Sequence, residues 1–224
     1  MKVLRAIAAT VLAVWAGQVW AGESAIDLLD APVTYSAHFY VASDKGTYRG
    51  SVWHSPGRER RDFATAGGGQ AVLLMRDQDA AYLLKPSGKW YVGVGLHAAA
   101  ALAGGIDGMT VDRKKVGDET VAGLRATRFH VQAASARGGR FDGDAWFSRD
   151  GILVKAAGVL VGPDGRPERV ETGLTDVVVG KVDPHMLTLP AGYFGMDLRQ
   201  VPADKIEQAV ANLMPLLAGG AAHQ

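Results

Sequence analysis

Residues 70–94, QAVLLMRDQDAAYLLKPSGKWYVGV, decide the fold class. Three short apolar runs, Gln70–Met75, Ala80–Leu84 and Lys89–Val94, are separated by stretches rich in Asp, Pro, Ser and Gly, which favour turns. Short apolar runs bounded by turn residues are typical of buried β-strands. The segment therefore predicts consecutive strands that are covered on both faces.

The same alternation of short runs and turns continues in both directions along the chain, at a spacing typical of a sandwich, a barrel or a strongly curved sheet. The runs do not alternate with helices, which favours one meandering antiparallel sheet of eleven strands over a parallel α/β sheet. The predicted strands are Val33–Ala42, Thr47–His54, Arg58–Ala64, Gln70–Met75, Ala80–Leu84, Lys89–Val94, Thr110–Val116, Leu124–Ala133, Gly139–Ser148, Ile152–Val161 and Glu168–Val179.

Helical signals are few. Leu96–Ala103 is rich in alanine and is followed by two glycines, a plausible helix ending. Asp204–Met214 combines a capping-box pattern with an apolar stripe, which predicts a C-terminal amphipathic helix before a flexible tail.

The N-terminus has the pattern of a cleavable secretory signal over residues 1–21. Lys2 and Arg5 precede an apolar run that is too short to span a bilayer, and Val19-Trp20-Ala21 provides a cleavage site. The sequence predicts one periplasmic domain over residues 22–224. The chain contains no cysteine, so neither disulfides nor an N-terminal lipid anchor is expected.

Composition and motifs give no support for catalysis or nucleic-acid binding. Cleavage removes two positive charges and changes the net charge from +1 to −1, so no nucleic-acid partner is expected. The histidines lack metal-ligand spacing, and Asp77/Asp79 and Asp142/Asp144 do not extend into a calcium loop. We therefore expect no metal, no cofactor and no enzymatic activity.

Three local basic groups stand out on this nearly neutral chain. They are Arg58/Arg60/Arg61, Arg113-Lys114-Lys115 and Arg137/Arg140. Such groups are commonly solvated faces; the functional alternative is transient contact with lipid phosphates, worth about 1 kcal/mol per basic residue.

Two segments carry a resemblance to a known family. They are Lys115–Phe129, KVGDETVAGLRATRF, and Ala145–Lys155, AWFSRDGILVK. Together they resemble a periplasmic family grouped with the outer-membrane lipoprotein carriers LolA and LolB, and Leu189–Tyr193 resembles that family's closing strand and its exit. The resemblance implies an incomplete antiparallel barrel of about eleven strands around an apolar cavity, with short helices as a lid. In the first segment, Gly117 and Gly123 are expected to bracket a turn.

Apolar residues on both faces of the central strands have two explanations: helices pack on one face of an ordinary sheet, or a curved sheet surrounds a cavity. The resemblance favours the cavity, and hence a carrier-like protein that binds a lipid, a lipoprotein acyl chain or another lipophilic molecule. An envelope-stress sensor or a structural adaptor that binds a protein partner is the alternative. The predicted cavity wall takes one inward set per strand: Phe39, Val52, Leu74, Tyr82, Trp90, Phe129, Val131 and Phe147.

Overall fold

The computed structural model describes residues 28–64, 69–102, 110–135, 138–162 and 165–201, together with Lys205. The segment 1–21 and all of the predicted helix 204–214 except Lys205 lie outside this set. The described residues form twelve strands in one sheet. The strands are β1 (Tyr35–Ser43), β2 (Gly46–Ser55), β3 (Arg58–Phe63), β4 (Gln70–Met75), β5 (Ala80–Lys85), β6 (Trp90–Val94), β7 (Thr110–Val121), β8 (Leu124–Ala134), β9 (Arg140–Ser148), β10 (Leu153–Val161), β11 (Pro167–Val179) and β12 (Phe194–Asp197). The mainly β prediction is confirmed.

The sheet is open and strongly curved. Its strand order is β12-β6-β5-β4-β3-β2-β1-β11-β10-β9-β8-β7. At about 4.8 Å per strand, β5 and β8 would lie about 38 Å apart in a flat sheet. Yet Ala81 of β5 and Val131 of β8 belong to one packed cluster. The two ends of the sheet therefore approach each other across a concave face.

The middle of the sheet is covered on both faces, as the apolar runs predict. On the concave face, Leu74 and Ala81 pack in one cluster with Ala98–Ala100 of the helix α1 (Leu96–Leu102). On the convex face, a second cluster contains Leu73 and Leu84 and is covered by side chains from the segment after β11. The described residues also contain three short 3-10 turns: Arg76–Gln78, Pro86–Gly88 and Pro184–Leu187.

The first motif segment forms a longer hairpin than expected. β7 continues through Gly117 to Val121, with an irregular register between Lys115 and Gly117. The turn consists of Ala122 and Gly123 alone, with φ of 52° and 77°, the left-handed conformations that a tight two-residue hairpin needs. The expectation that Gly117 and Gly123 bracket a turn is wrong, because the antiparallel pairing with β8 extends past Gly117.

The second motif segment stabilises the next hairpin. Trp146, on the convex face, is buried beneath two cations, Arg128 at 5.3 Å and Lys155 at 5.5 Å from its ring. The Ser148 Oγ accepts a hydrogen bond of 3.1 Å from the backbone N–H of Ile152 across the turn. Trp146 therefore holds β8, β9 and β10 together from the convex face, and Ser148 closes the turn after β9.

The sheet contains a twelfth strand, whereas the sequence predicts eleven. Leu189–Tyr193 forms a turn rather than a closing strand, since Pro190 lacks a backbone N–H and Gly192 has a φ of 77°. The chain then enters β12, which pairs with β6 in parallel. β12 is the outermost strand at its end of the sheet.

Candidate functional site: a cleft on the concave face

Seven of the eight predicted wall residues share the concave face. Strand pairing places them there, because residues directly opposite each other on neighbouring strands, and alternate residues along one strand, lie on the same face. They are Phe39, Val52, Leu74, Trp90, Phe129, Val131 and Phe147. The structure places Tyr82 on the convex face, because Tyr82 pairs with Leu73 and Gly93. Neighbouring residues of β5 point to opposite faces, so an assignment that is wrong by one residue places the side chain on the wrong face.

Most of these side chains are part of a filled core. Phe39, Val52, Leu74 and Val131 are all nearly inaccessible to solvent and pack in two core clusters. Phe129 and Phe147 are half-buried and border open space. The two groups have the same apolar character and lie on the same face, so no sequence pattern distinguishes them.

The open space is a cleft of about 420 Å³. One wall is the segment that precedes β1, and the other is formed by β7, β8, β9 and the turn after β9. The lining residues are Leu28, Asp30, Pro32, Arg113, Thr127, Phe129, Phe147, Ser148, Arg149 and Gly151. We call this space the β8–β9 cleft.

An aromatic pair with a cation above it forms one wall of the β8–β9 cleft. The rings of Phe129 and Phe147 meet edge to face, with centroids 6.1 Å apart. The Arg113 guanidinium carbon lies 4.8 Å from the Phe129 centroid and 6.0 Å from that of Phe147. A cation over an aromatic face is attracted by the ring's quadrupole. The cleft thus combines an apolar surface with a positive charge.

The remaining polar groups of the cleft have defined roles. The Thr127 hydroxyl donates a 2.7 Å hydrogen bond to Asp118, and the Ser148 hydroxyl accepts the backbone bond described above. Arg149 is exposed and has no ion-pair partner among the described residues. Of the three basic sequence groups, only Arg113-Lys114-Lys115 contributes to the cleft, through Arg113; Arg137 lies outside the described residues.

Polar groups are also buried on the concave face of β1, β2 and β3. His54 is fully buried, and its ring stacks on Tyr35 with centroids 4.9 Å apart. Its Nε2 lies 2.9 Å from the carbonyl oxygen of Ala31, and its Nδ1 lies 3.3 Å from Glu59 Oε2. Glu59 in turn accepts a 2.6 Å hydrogen bond from Arg61. We call Asp30, His54, Glu59 and Arg61 the buried charged cluster.

The electrostatics favour the charged forms in this cluster. Burial alone would lower the pKa of His54, but Glu59, the Ala31 carbonyl and Asp30 together raise it. Burial would raise the pKa of Glu59, but Arg61 and His54 lower it to about 2. An imidazolium can donate from both nitrogens, to Ala31 and toward Glu59. The cluster therefore attaches residues 30–31 to the sheet.

This cluster is absent from the predictions made from the sequence. Arg60 and Arg61, assigned there to a solvated basic group, have side chains only 10% and 11% exposed, and each is paired with a carboxylate of its own strand. Asp30 and Glu59 approach different nitrogens of His54, which is unlike a metal centre. Within the described residues, no group of three or more histidine and acidic side chains is arranged to hold a metal ion.

The helices are short in the part of the chain that the structure describes. None of them combines the length and apolar character needed to cross a membrane.

Several solved structures have a similar fold. MucB in complex with MucA(peri) is 19% identical, with a TM-score of 0.45, over 73% of this chain and 56% of that one. An uncharacterized conserved protein from Thermus thermophilus is 10% identical, with a TM-score of 0.50, over 77% and 96%. The LolA superfamily protein NE2245 from Nitrosomonas europaea is 13% identical, with a TM-score of 0.38, over 75% and 98%.

These similarities concern the fold, and at that level the resemblance to the lipoprotein carriers is confirmed. This chain spans little more than half the length of MucB. No protein-family model and no curated protein matches the sequence.

Proposed function

We propose that this protein is a non-enzymatic binding protein of the periplasm that takes a lipophilic molecule, such as a lipid or a lipoprotein acyl chain, into the β8–β9 cleft. One observation carries the proposal: a cleft of about 420 Å³ lies open on the concave face, with Phe129 and Phe147 on one side. Pockets for small ligands have volumes of about 300–1,000 Å³ and mostly apolar linings.

The binding mechanism follows from the lining. Each Å² of apolar ligand surface removed from water contributes about 25 cal/mol, so an alkyl chain against the two phenylalanines is retained without a covalent step. Thr127 and Ser148 are already engaged in internal hydrogen bonds, so these two hydroxyls contribute little hydrogen bonding to a ligand. A ligand held in this way can be passed on to a second site.

Transient contact with a membrane surface fits the same geometry. Lys114 and Lys115 are exposed on the edge strand β7, beside Arg113 of the cleft. Each lysine near an anionic bilayer contributes about 1 kcal/mol of attraction. The two lysines would bring the cleft close to a lipid donor or acceptor.

A fluorescent fatty acid titrated into the protein tests the proposal. We expect saturable binding that Phe129→Trp weakens by filling the cleft, while Phe194→Trp, the same replacement at a residue 69% exposed on β12, leaves it unchanged. Mass spectrometry of an organic extract of the protein from its native compartment would then identify the cargo. Absence of binding by every apolar probe would overturn the proposal.

A protein partner is the second candidate function. β12 is the outermost strand at its end of the sheet and exposes Phe194 and Met196, at 69% and 43%. An apolar edge strand can accept a strand from another chain. Phe194→Asp together with Met196→Asp should abolish such a complex without changing fatty-acid binding, as measured by co-purification of the tagged protein. Unchanged co-purification would overturn this second role.

A further inference from the structure

We infer that residues 204–214 of this chain pack an apolar stripe against the exposed face of β12 and cover Phe194 and Met196. The inference concerns β12 and does not depend on a ligand in the β8–β9 cleft. Its basis is an uncovered apolar strand face together with the path that the chain takes directly after that strand.

One face of β12 is covered and the other is exposed. Parallel pairing with β6 places Phe194 beside Trp90 on the concave side, and Met196, two residues further on, shares that face. The two side chains are 69% and 43% exposed. Gly195 points to the convex side, where a Cβ at its position would lie 2.6 Å from the ring of Tyr91. The tyrosine ring therefore covers the convex side of β12, whereas large apolar side chains remain exposed on its concave side.

The chain turns onto the same side directly after β12. The backbone N–H of Leu198 donates to the Gly93 carbonyl at 2.7 Å, and that of Val201 donates to the Leu198 carbonyl at 2.9 Å. Leu198 is buried in the concave-face cluster, and Val201 packs against that cluster. The sequence that follows Val201 therefore starts on the concave side, close to the uncovered face of β12.

The pattern of that sequence suits an apolar strand face. Ile206, Val210 and Leu213 recur at helical spacing behind a capping-box pattern. Lys205, the one described residue of this stretch, is helical with an exposed side chain, as expected of a position about 100° around a helix from Ile206. A helix over 204–214 would be about 16 Å long. This length exceeds three strand spacings of about 4.8 Å, which is enough to cross β12 and β6.

The short connection favours this segment over a separate partner as the cover. A group tethered through a few residues is present at an effective concentration of about millimolar or more. The sequence 208–224 contains no Asp, Glu, Lys or Arg, so an apolar contact there involves no burial of a charged side chain. A protein partner that contacts Phe194 and Met196 would have to displace the segment.

Thiol reactivity in the full chain tests the inference, because the chain contains no cysteine and Met196→Cys introduces its only thiol. We expect iodoacetamide to alkylate this thiol slowly, and at least tenfold faster when Val210→Asp and Leu213→Asp are added to disrupt the stripe. Gln208→Asp with Asn212→Asp adds the same charge on the opposite side of the predicted helix. This matched control should leave the alkylation rate unchanged.

Two results would overturn the inference. An alkylation rate that the stripe substitutions leave unchanged would show that this segment does not cover β12. Slow alkylation that becomes fast on dilution of the protein would identify a second copy of the chain as the cover.

Oxidative crosslinking gives an independent measurement. Met196→Cys combined with Ile206→Cys, Val210→Cys or Leu213→Cys should form a disulfide within one chain in at least one combination, as detected by intact mass and gel mobility. Gln208→Cys in place of the stripe cysteine is the control and should not form it. Failure of all three stripe combinations, or equal crosslinking through Gln208→Cys, would contradict the packing of the stripe on β12.

Discussion

The segment that precedes β1 meets the concave face in two different ways. Over β1–β3 it is fixed by buried charges, and the space beside Glu59 and Arg61 is only about 20 Å³, enough for about one water molecule. Over β8 and β9 the same segment faces Phe129 and Phe147 across about 420 Å³. One short segment is thus anchored on one side and forms a wall of the cleft on the other.

The two regions contribute to the stability of the fold in different ways. Buried ion pairs contribute little net stability compared with apolar residues of the same shape, but removing one partner is costly because the other charge stays buried and uncompensated. An open cleft forgoes packing contacts that a filled core would make. The comparison suggests that the cluster keeps the segment in place so that the cleft can stay open.

The largest expected effect is on the anchored side. Glu59→Ala would leave His54 and Arg61 buried without their shared carboxylate, so we expect the free energy of unfolding to fall by about 3–5 kcal/mol. Lys45→Ala, which breaks the exposed pair with Glu168, should cost less than about 1 kcal/mol. Urea unfolding measures both; similar costs for the two variants would show that the buried cluster does not anchor the segment.

Tryptophan substitution distinguishes the filled core from the cleft. Leu74→Trp adds volume to a side chain 4% exposed in a packed cluster, and we expect it to cost about 1–3 kcal/mol. Phe129→Trp adds volume beside open space and should cost less. Comparable losses of stability at both positions, measured by urea unfolding, would mean that the space beside Phe129 is not available to a ligand.

The smallest effect is on the pH dependence of stability. The pKa of His54 is raised from 6.5, so its stabilisation is complete below pH 6.5 and is lost as pH rises through the folded-state pKa. The pKa of Glu59 is lowered from 4.5 to about 2, so its stabilisation is present above pH 4.5 and is lost toward pH 2. We expect the cluster to stabilise the protein most between these limits.

Denaturation at a series of pH values checks this window. The stability difference between the wild type and His54→Gln should shrink as pH rises above 6.5. His130→Gln, which removes an imidazole at an exposed position, is the matched control. A constant difference between His54→Gln and the wild type across that range would contradict a charged His54.

Local patterns predicted the strands well, since the turns at 56–57, 76–79, 86–89 and 149–152 all occur where Pro, Gly and Asp interrupt apolar runs. β12 was missed because a four-residue strand with a parallel partner has no local signal. The face of Tyr82 was missed because its neighbours in β5 are apolar on both sides, so the sequence does not fix which way each residue points.

The buried charged cluster was more predictable than the cleft. The two-residue turn at Pro56-Gly57 places His54 directly opposite Glu59, so the register of one hairpin would have paired an imidazole with a carboxylate. The cleft depends instead on contacts between residues 28–32 and β7–β9, which are far apart in sequence. No local pattern contains that information.

Photo-crosslinking with a diazirine derivative of dodecanoate tests the central claim, that an alkyl chain binds in the β8–β9 cleft, most directly. After irradiation and proteolysis, mass spectrometry should find the label on peptides that contain residues 28–32, Phe129 and Phe147, and excess dodecanoate should compete it away. Labelling confined to the exposed Phe194 and Met196 of β12, or labelling that dodecanoate does not displace, would contradict the account.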